Sequence, residues 1–164
     1  MSTVEYERDG RNLTATFELV ATVDEAWQLF ENPQLLEQWW GPPGWPATFS
    51  RFEFAQGGEA RYHMTGPDGT ESHGWWTFDH IDFPSLTFTD GFSDSEGVPD
   101  LTMPYAQCTV RLDGEPGRVR VTFESVYDSE AALDRVIEMG FQEGFSAAVS
   151  QIPGVLASGA ASSA

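Results

Sequence analysis

The chain has 164 residues, 40% hydrophobic and 13% aromatic, a length and apolar share that support one domain with a buried core. Its 26 acidic residues face 8 basic ones, all arginine, and the formal net charge of -18 repels phosphate backbones and anionic lipid, which excludes nucleic-acid and membrane-surface partners. A lone cysteine, Cys108, excludes an internal disulfide, and the polar, acidic start (MSTVEYERDGRN) without any long apolar run predicts a cytoplasmic chain.

Residues 1–10 read as a flexible N-terminus. Leu13 to Leu19 alternates apolar and polar side chains with period two, the pattern of a strand with one buried face. Thr22 with Glu25 three residues on predicts a capping box, after which Val23, Ala26, Trp27 and Phe30 fall at helical spacing. Asn32-Pro33 ends that helix and opens a second, short one lined by Leu35, Leu36, Trp39 and Trp40. Gly41 to Pro46 holds three prolines and two glycines and cannot continue it, so Trp39, Trp40 and Trp45 stand where a helix gives way to a loop.

Strands follow from Phe49 to Phe54, broken at Gly57-Gly58. Pro67-Asp68-Gly69 predicts a hairpin loop in which glycine takes the left-handed third position. Counting outward sets Gly66 opposite Thr70, Met64 opposite Ser72, His63 opposite His73, Tyr62 opposite Gly74 and Ala60 opposite Trp76. Tyr62, Met64, Trp76 and Phe78 then look inward, with His80 on the same parity, while Arg61, His63, Thr65, Glu71 and His73 look outward. A strand around Leu86-Thr87-Phe88 leads to an acidic loop, Gly91 to Leu101, expected to be mobile. Strands bearing Cys108, Val110 and Leu112, then Val119, Val121 and Phe123, turn about Glu115-Pro116-Gly117 and complete an antiparallel sheet.

From Ser129 the period becomes helical, and Leu133, Val136, Ile137, Phe141, Phe145, Ala148 and Ile152 line one side of a long helix capped by Ser129. Gly140 and Gly144 thin that stripe at a cost of about 1 kcal/mol each relative to alanine, which points to a close approach or to empty space. Residues 157–164 read as a flexible tail.

This order predicts an α+β helix-grip fold: a curved antiparallel β-sheet wrapped around a long C-terminal helix, with two short helices after the first strand. Ala21 to Trp27 (ATVDEAW), Trp39-Trp40-Gly41-Pro42, Gly57-Gly58, Gly66 to Thr70 with Gly74, and Gly144-Phe145 resemble one branch of the START-like (SRPBCC) superfamily. That branch is named after the activator of the ninety-kilodalton heat-shock protein's ATPase, and the resemblance covers residues 11–156 as a single domain. The family usually has tryptophan where this chain has Phe145. The resemblance implies a cavity between sheet and helix that relatives use for lipids, aromatic polyketides or other apolar molecules; it implies no universal catalytic residue.

The candidate ligand-binding residues are Trp40 and Trp45 at the cavity mouth and Tyr62, Met64, Trp76, Phe78, Phe88, Phe141 and Phe145 within, with His80 or Tyr105 orienting a polar end. The tryptophans serve equally well as a lid on the core, and the inward aromatic set can fill the interior or leave it partly hollow. His63, His73 and Glu71 lack a third convergent ligand, so no metal is called for, and Cys108 reads as a core thiol. No phosphate loop, dinucleotide fingerprint or nucleophile motif calls for a cofactor. The expected partner is a small apolar molecule, with a homodimer left open, and no catalytic residue is assigned. Two alternatives stand beside binding: an enzyme of cyclase, dehydratase or hydrolase type using His80 and Tyr105, and a chaperone-interaction module.

Overall fold

Alternation along Asn12–Leu19 gives strand β2, whose odd-numbered residues Leu13, Ala15, Phe17 and Leu19 are buried. The computed structural model describes residues 3–158, and the remainder of the two ends read as flexible lies outside the described residues. Before β2 stands β1 (Glu5–Asp9), paired antiparallel from Glu5 with Thr16 to Asp9 with Asn12, so the flexible reading of residues 1–10 is corrected over this stretch. Sequence pattern concealed it because this edge strand buries no side chain fully and only Tyr6 is half-covered. The Tyr6 hydroxyl donates to the Gln142 carbonyl at 2.9 Å, tying the edge to the helical layer.

Helix α1 (Val23–Glu31) starts at the predicted capping box, with the Glu25 amide donating to Thr22 Oγ1 at 3.1 Å and the Thr22 amide to Glu25 Oε1 at 2.9 Å. Asn32 caps α2 (Pro33–Trp39), and Trp40 forms its C-terminal cap. The other strands are β3 (Ala47–Phe52), β4 (Glu59–Thr65), β5 (Glu71–Asp82), β6 (Ser85–Phe92), β7 (Tyr105–Glu115) and β8 (Arg118–Tyr127). They form one antiparallel sheet in the order β1-β2-β8-β7-β6-β5-β4-β3. Every pairing counted outward from the Pro67-Asp68-Gly69 turn is present, including Tyr62 with Gly74 and His63 with His73. Gly69 takes the left-handed conformation at φ +85°.

A bulge interrupts the pairing of β5 with β6: Phe78 lies opposite Phe88, yet His80 lies opposite Thr87. The additional residue, Asp79, reverses the alternation beyond it. His80 is therefore exposed rather than inward.

The terminal helical run is divided into α3 (Glu130–Glu138), α4 (Phe141–Val149) and α5 (Ile152–Ala157). Gly140 causes the first break: at φ +90° it leaves the right-handed helix, and its amide donates to the Ile137 carbonyl at 3.0 Å. Pro153, which has no amide donor, sits in the first turn of α5. Leu133, Val136, Phe145, Ala148, Val149, Ile152 and Val155 still form one buried stripe across the concave sheet. The helix-grip arrangement thus stands, built from three segments.

The acidic loop expected to be mobile is a folded hairpin. Ser93 bridges Pro99, Asp94 Oδ1 accepts from the Glu96 and Val98 amides at 2.9 Å each, and Arg61 Nε donates to the Gly97 carbonyl at 2.8 Å. Carboxylate capture of neighbouring amides, not apolar pattern, holds it.

Candidate functional site

Three aromatic side chains predicted as cavity walls are instead the floor of the core. Trp76, Phe78 and Phe88 are fully buried, with Trp76 and Phe88 4.3 Å apart by ring centroid. At roughly 1.5–3 kcal/mol for burying one such side chain, they belong to the packing that sustains the fold. Trp39 joins them, its indole N–H donating to the Leu29 carbonyl at 2.9 Å.

Above this floor lies a hollow of about 320 Å³ between the sheet and α3–α4. Of the predicted residues, Trp40, Tyr62, Met64, Phe141 and Phe145 line it. Phe141 and Phe145 stack at 5.5 Å and 16°, and Trp40 meets Tyr62 edge-on at 6.3 Å and 88°. Trp40 also stands edge-on to Trp76 at 4.9 Å. A Cβ built on Gly144 would have no neighbour within 4 Å, so at this glycine the thinned stripe does mark empty space.

The remaining predicted site residues lie elsewhere. Trp45 lies across Gly66 at the turn end of the β4–β5 hairpin, where a Cβ on that glycine would meet the indole at 2.8 Å. Tyr105 is 37% exposed on the outward parity of β7, opposite to that of the buried Ala106, Cys108 and Val110. With His80 turned outward as well, neither polar group assigned to the cavity reaches it.

A different polar group does. Asp90, on β6, lines the hollow; it shares parity with Leu86 and Phe88, a signal that a strand ended at Phe88 concealed. Tyr62 reaches it because Gly74 stands between them: the phenol crosses β5 over Gly74, where a Cβ would collide with Cζ and the hydroxyl. Tyr62 then donates to Asp90 Oδ1 at 3.1 Å. Burial pushes the Asp90 carboxyl up to about 7, opposed by hydrogen bonding from Tyr62 and by the Trp76 indole. The Trp76 contact falls short of full hydrogen-bond geometry, since its Nε1 and that of Trp40 are buried without a partner of that quality. Burial, then the charge of Asp90, holds the Tyr62 phenol well above its ordinary range.

His63 and His73 face each other on the outer side of the sheet with ring centroids 5.5 Å apart, and His73 Nε2 lies 3.0 Å from Glu71 Oε1. Among the described residues, no group of three His, Cys, Asp or Glu side chains converges as a metal site. Cys108 is buried 3.6 Å from Ser125 Oγ, and burial pushes its thiol upward, away from the reactive thiolate. No helix among the described residues is long and apolar enough to cross a membrane.

The sequence pattern of a family described as "Activator of Hsp90 ATPase homolog 1-like protein" matches residues 20–157. A protein from Arthrobacter aurescens, solved by NMR, is 41% identical, with a TM-score of 0.90 over 97% of this chain and 94% of that one. The crystal structure of protein Ms6760 from Mycobacterium smegmatis is 37% identical, with a TM-score of 0.85 over 94% of this chain and 96% of that one. An AHSA1 protein from Silicibacter pomeroyi shares the fold at 19% identity and a TM-score of 0.68, over 89% of this chain and 97% of that one. No curated protein matches the sequence.

Proposed function

The chain belongs to the family of activator of Hsp90 ATPase homolog 1-like proteins, and we propose that it binds a small apolar or aromatic molecule, without transforming it, in the hollow between the sheet and α4. One observation carries this reading: Gly144, in mid-helix, faces space free of protein atoms while Trp40, Tyr62, Phe141 and Phe145 surround the same space. A helix position that forgoes a side chain costs stability, and rigid aromatic walls bind a flat apolar guest with little loss of entropy. At about 320 Å³ the hollow is at the small end of ligand pockets, roughly 300–1,000 Å³, which suits one compact guest.

The test is a thermal-shift and native mass-spectrometry screen with neutral aromatic and short acyl compounds, run on the parent chain and on G144L. Aromatic compounds should raise the melting temperature of the parent and leave G144L unmoved. Equal responses, or none in either chain, would remove the reading.

One observation favours a second reading, an enzyme that moves a proton on an apolar substrate. Asp90, with its carboxyl at about 7 and a hydrogen bond from Tyr62, has the poise of a general acid or base. Recovery of the bound compound unchanged after prolonged incubation would exclude it.

A further inference from the structure

Asp90 is the one carboxylate in the lining of the hollow. That lining also includes His73, whose Nε2 lies 3.0 Å from Glu71 Oε1 and so is engaged with another acid, and no arginine, in a chain that has no lysine. Tyr62 supplies a neutral donor to Oδ1, and Oδ2 takes no hydrogen bond of full geometry from any described residue. A carboxylate at the wall of an apolar cavity without a countercharge is costly to keep ionised, and a guest that brings the missing charge recovers that cost. The surroundings favour the same sign, because ring faces such as those of Trp40 and Tyr62 attract cations and the net charge of -18 concentrates them near the protein.

We infer that the guest carries a protonated amine, whose ammonium is held by the Asp90 carboxylate beside the Trp40 and Tyr62 rings while its apolar body lies along Phe141, Phe145 and the space over Gly144. This rests on the binding function proposed above and names the chemical class of its ligand: a compact arylalkylamine. Recognition is an ion pair with one charge-assisted hydrogen bond in a partly desolvated site, so a neutral molecule of the same shape loses at least about tenfold in affinity. An anion of that shape is repelled.

The experiment measures dissociation constants by calorimetry at pH 8 for tryptamine, 3-propylindole and indole-3-propionate on the parent chain, D90N, Y62F and G144L. The expected result is tryptamine at least about tenfold tighter than 3-propylindole, and indole-3-propionate weakest. D90N should bring tryptamine and 3-propylindole together, Y62F should keep their order, and G144L should lose both. The comparison on the parent chain stands even if D90N does not fold. If 3-propylindole binds the parent as well as tryptamine and G144L abolishes it, the ammonium inference is overturned and the apolar-guest reading stands. A tryptamine preference that persists in D90N overturns the assignment to Asp90. Absence of binding by all three compounds overturns both the inference and the reading beneath it.

Discussion

The Tyr62 hydroxyl passes over Gly74 to donate to Asp90 Oδ1 at 3.1 Å, so that one hydrogen bond spans the three neighbouring strands β4, β5 and β6. The path requires the absence of a side chain at residue 74. A methyl group there must push the ring aside.

Loss of that bond should be visible at Asp90. Because the Tyr62 hydroxyl favours the charged carboxylate, Y62F and G74A should each move the Asp90 titration midpoint upward from about 7. G74A should also destabilise the fold by about 1–3 kcal/mol through overpacking. Carboxyl-detected NMR titration and urea denaturation check the two effects, and an unchanged midpoint in both variants would dissociate Tyr62 from Asp90.

Asp90 makes stability depend on pH in the direction opposite to an ion-paired acid. Its folded-state value of about 7 lies above the unfolded value of about 4, so the folded chain binds the proton more tightly. The resulting stabilisation is whole below about pH 4 and is lost as pH rises through about 7. Tyr62, Cys108 and Tyr127, the titratable groups coupled to Asp90, are all raised and stay neutral over that range. D90N, neutral throughout, should gain on the parent between pH 4 and pH 8 by roughly 1–3 kcal/mol, allowing for water reaching the hollow. Urea midpoints measured at both pH values provide the check.

G144L should separate stability from binding. Leucine is the better helix former by roughly 0.5–1 kcal/mol, and a Cβ at residue 144 meets no neighbour within 4 Å. Its melting temperature should therefore equal or exceed that of the parent while aromatic compounds no longer shift it. A destabilised G144L would show that the space is smaller than described.

His80 and Tyr105 offer a control. Both lie outside the hollow, His80 beyond the β5 bulge and Tyr105 on the outward parity of β7. H80A and Y105F should each change stability by no more than about 0.5 kcal/mol and leave ligand shifts intact. Loss of binding in either would return the polar end of the site to them.

What the sequence disclosed follows from where local chemistry decides the outcome. The Thr22–Glu25 box, the Asn32-Pro33 junction and the Gly69 turn are local, and the turn carried the register as far as Tyr62 opposite Gly74. Five of the candidate side chains, from Trp40 to Phe145, meet at the hollow because alternation and helical period hold around them. His80 escaped because a bulge gives no compositional signal, and Tyr105 was placed against the parity of its own strand. Trp76, Phe78 and Phe88 were placed on the correct face, but depth beneath a surface is set by long-range packing that periodicity does not encode. Asp90 was passed over because the strand was read only around Leu86 to Phe88 and the loop from Gly91, whereas β6 continues to Phe92.

Every reading of the site depends on a guest entering the hollow over Gly144. The direct measurement is a two-dimensional amide NMR titration of the ¹⁵N-labelled chain with indole. Saturable shifts concentrated at Tyr62, Asp90, Phe141 and Gly144 are expected. Shifts confined to the outer face around Arg61 and His63, or none at saturating indole, would overturn it.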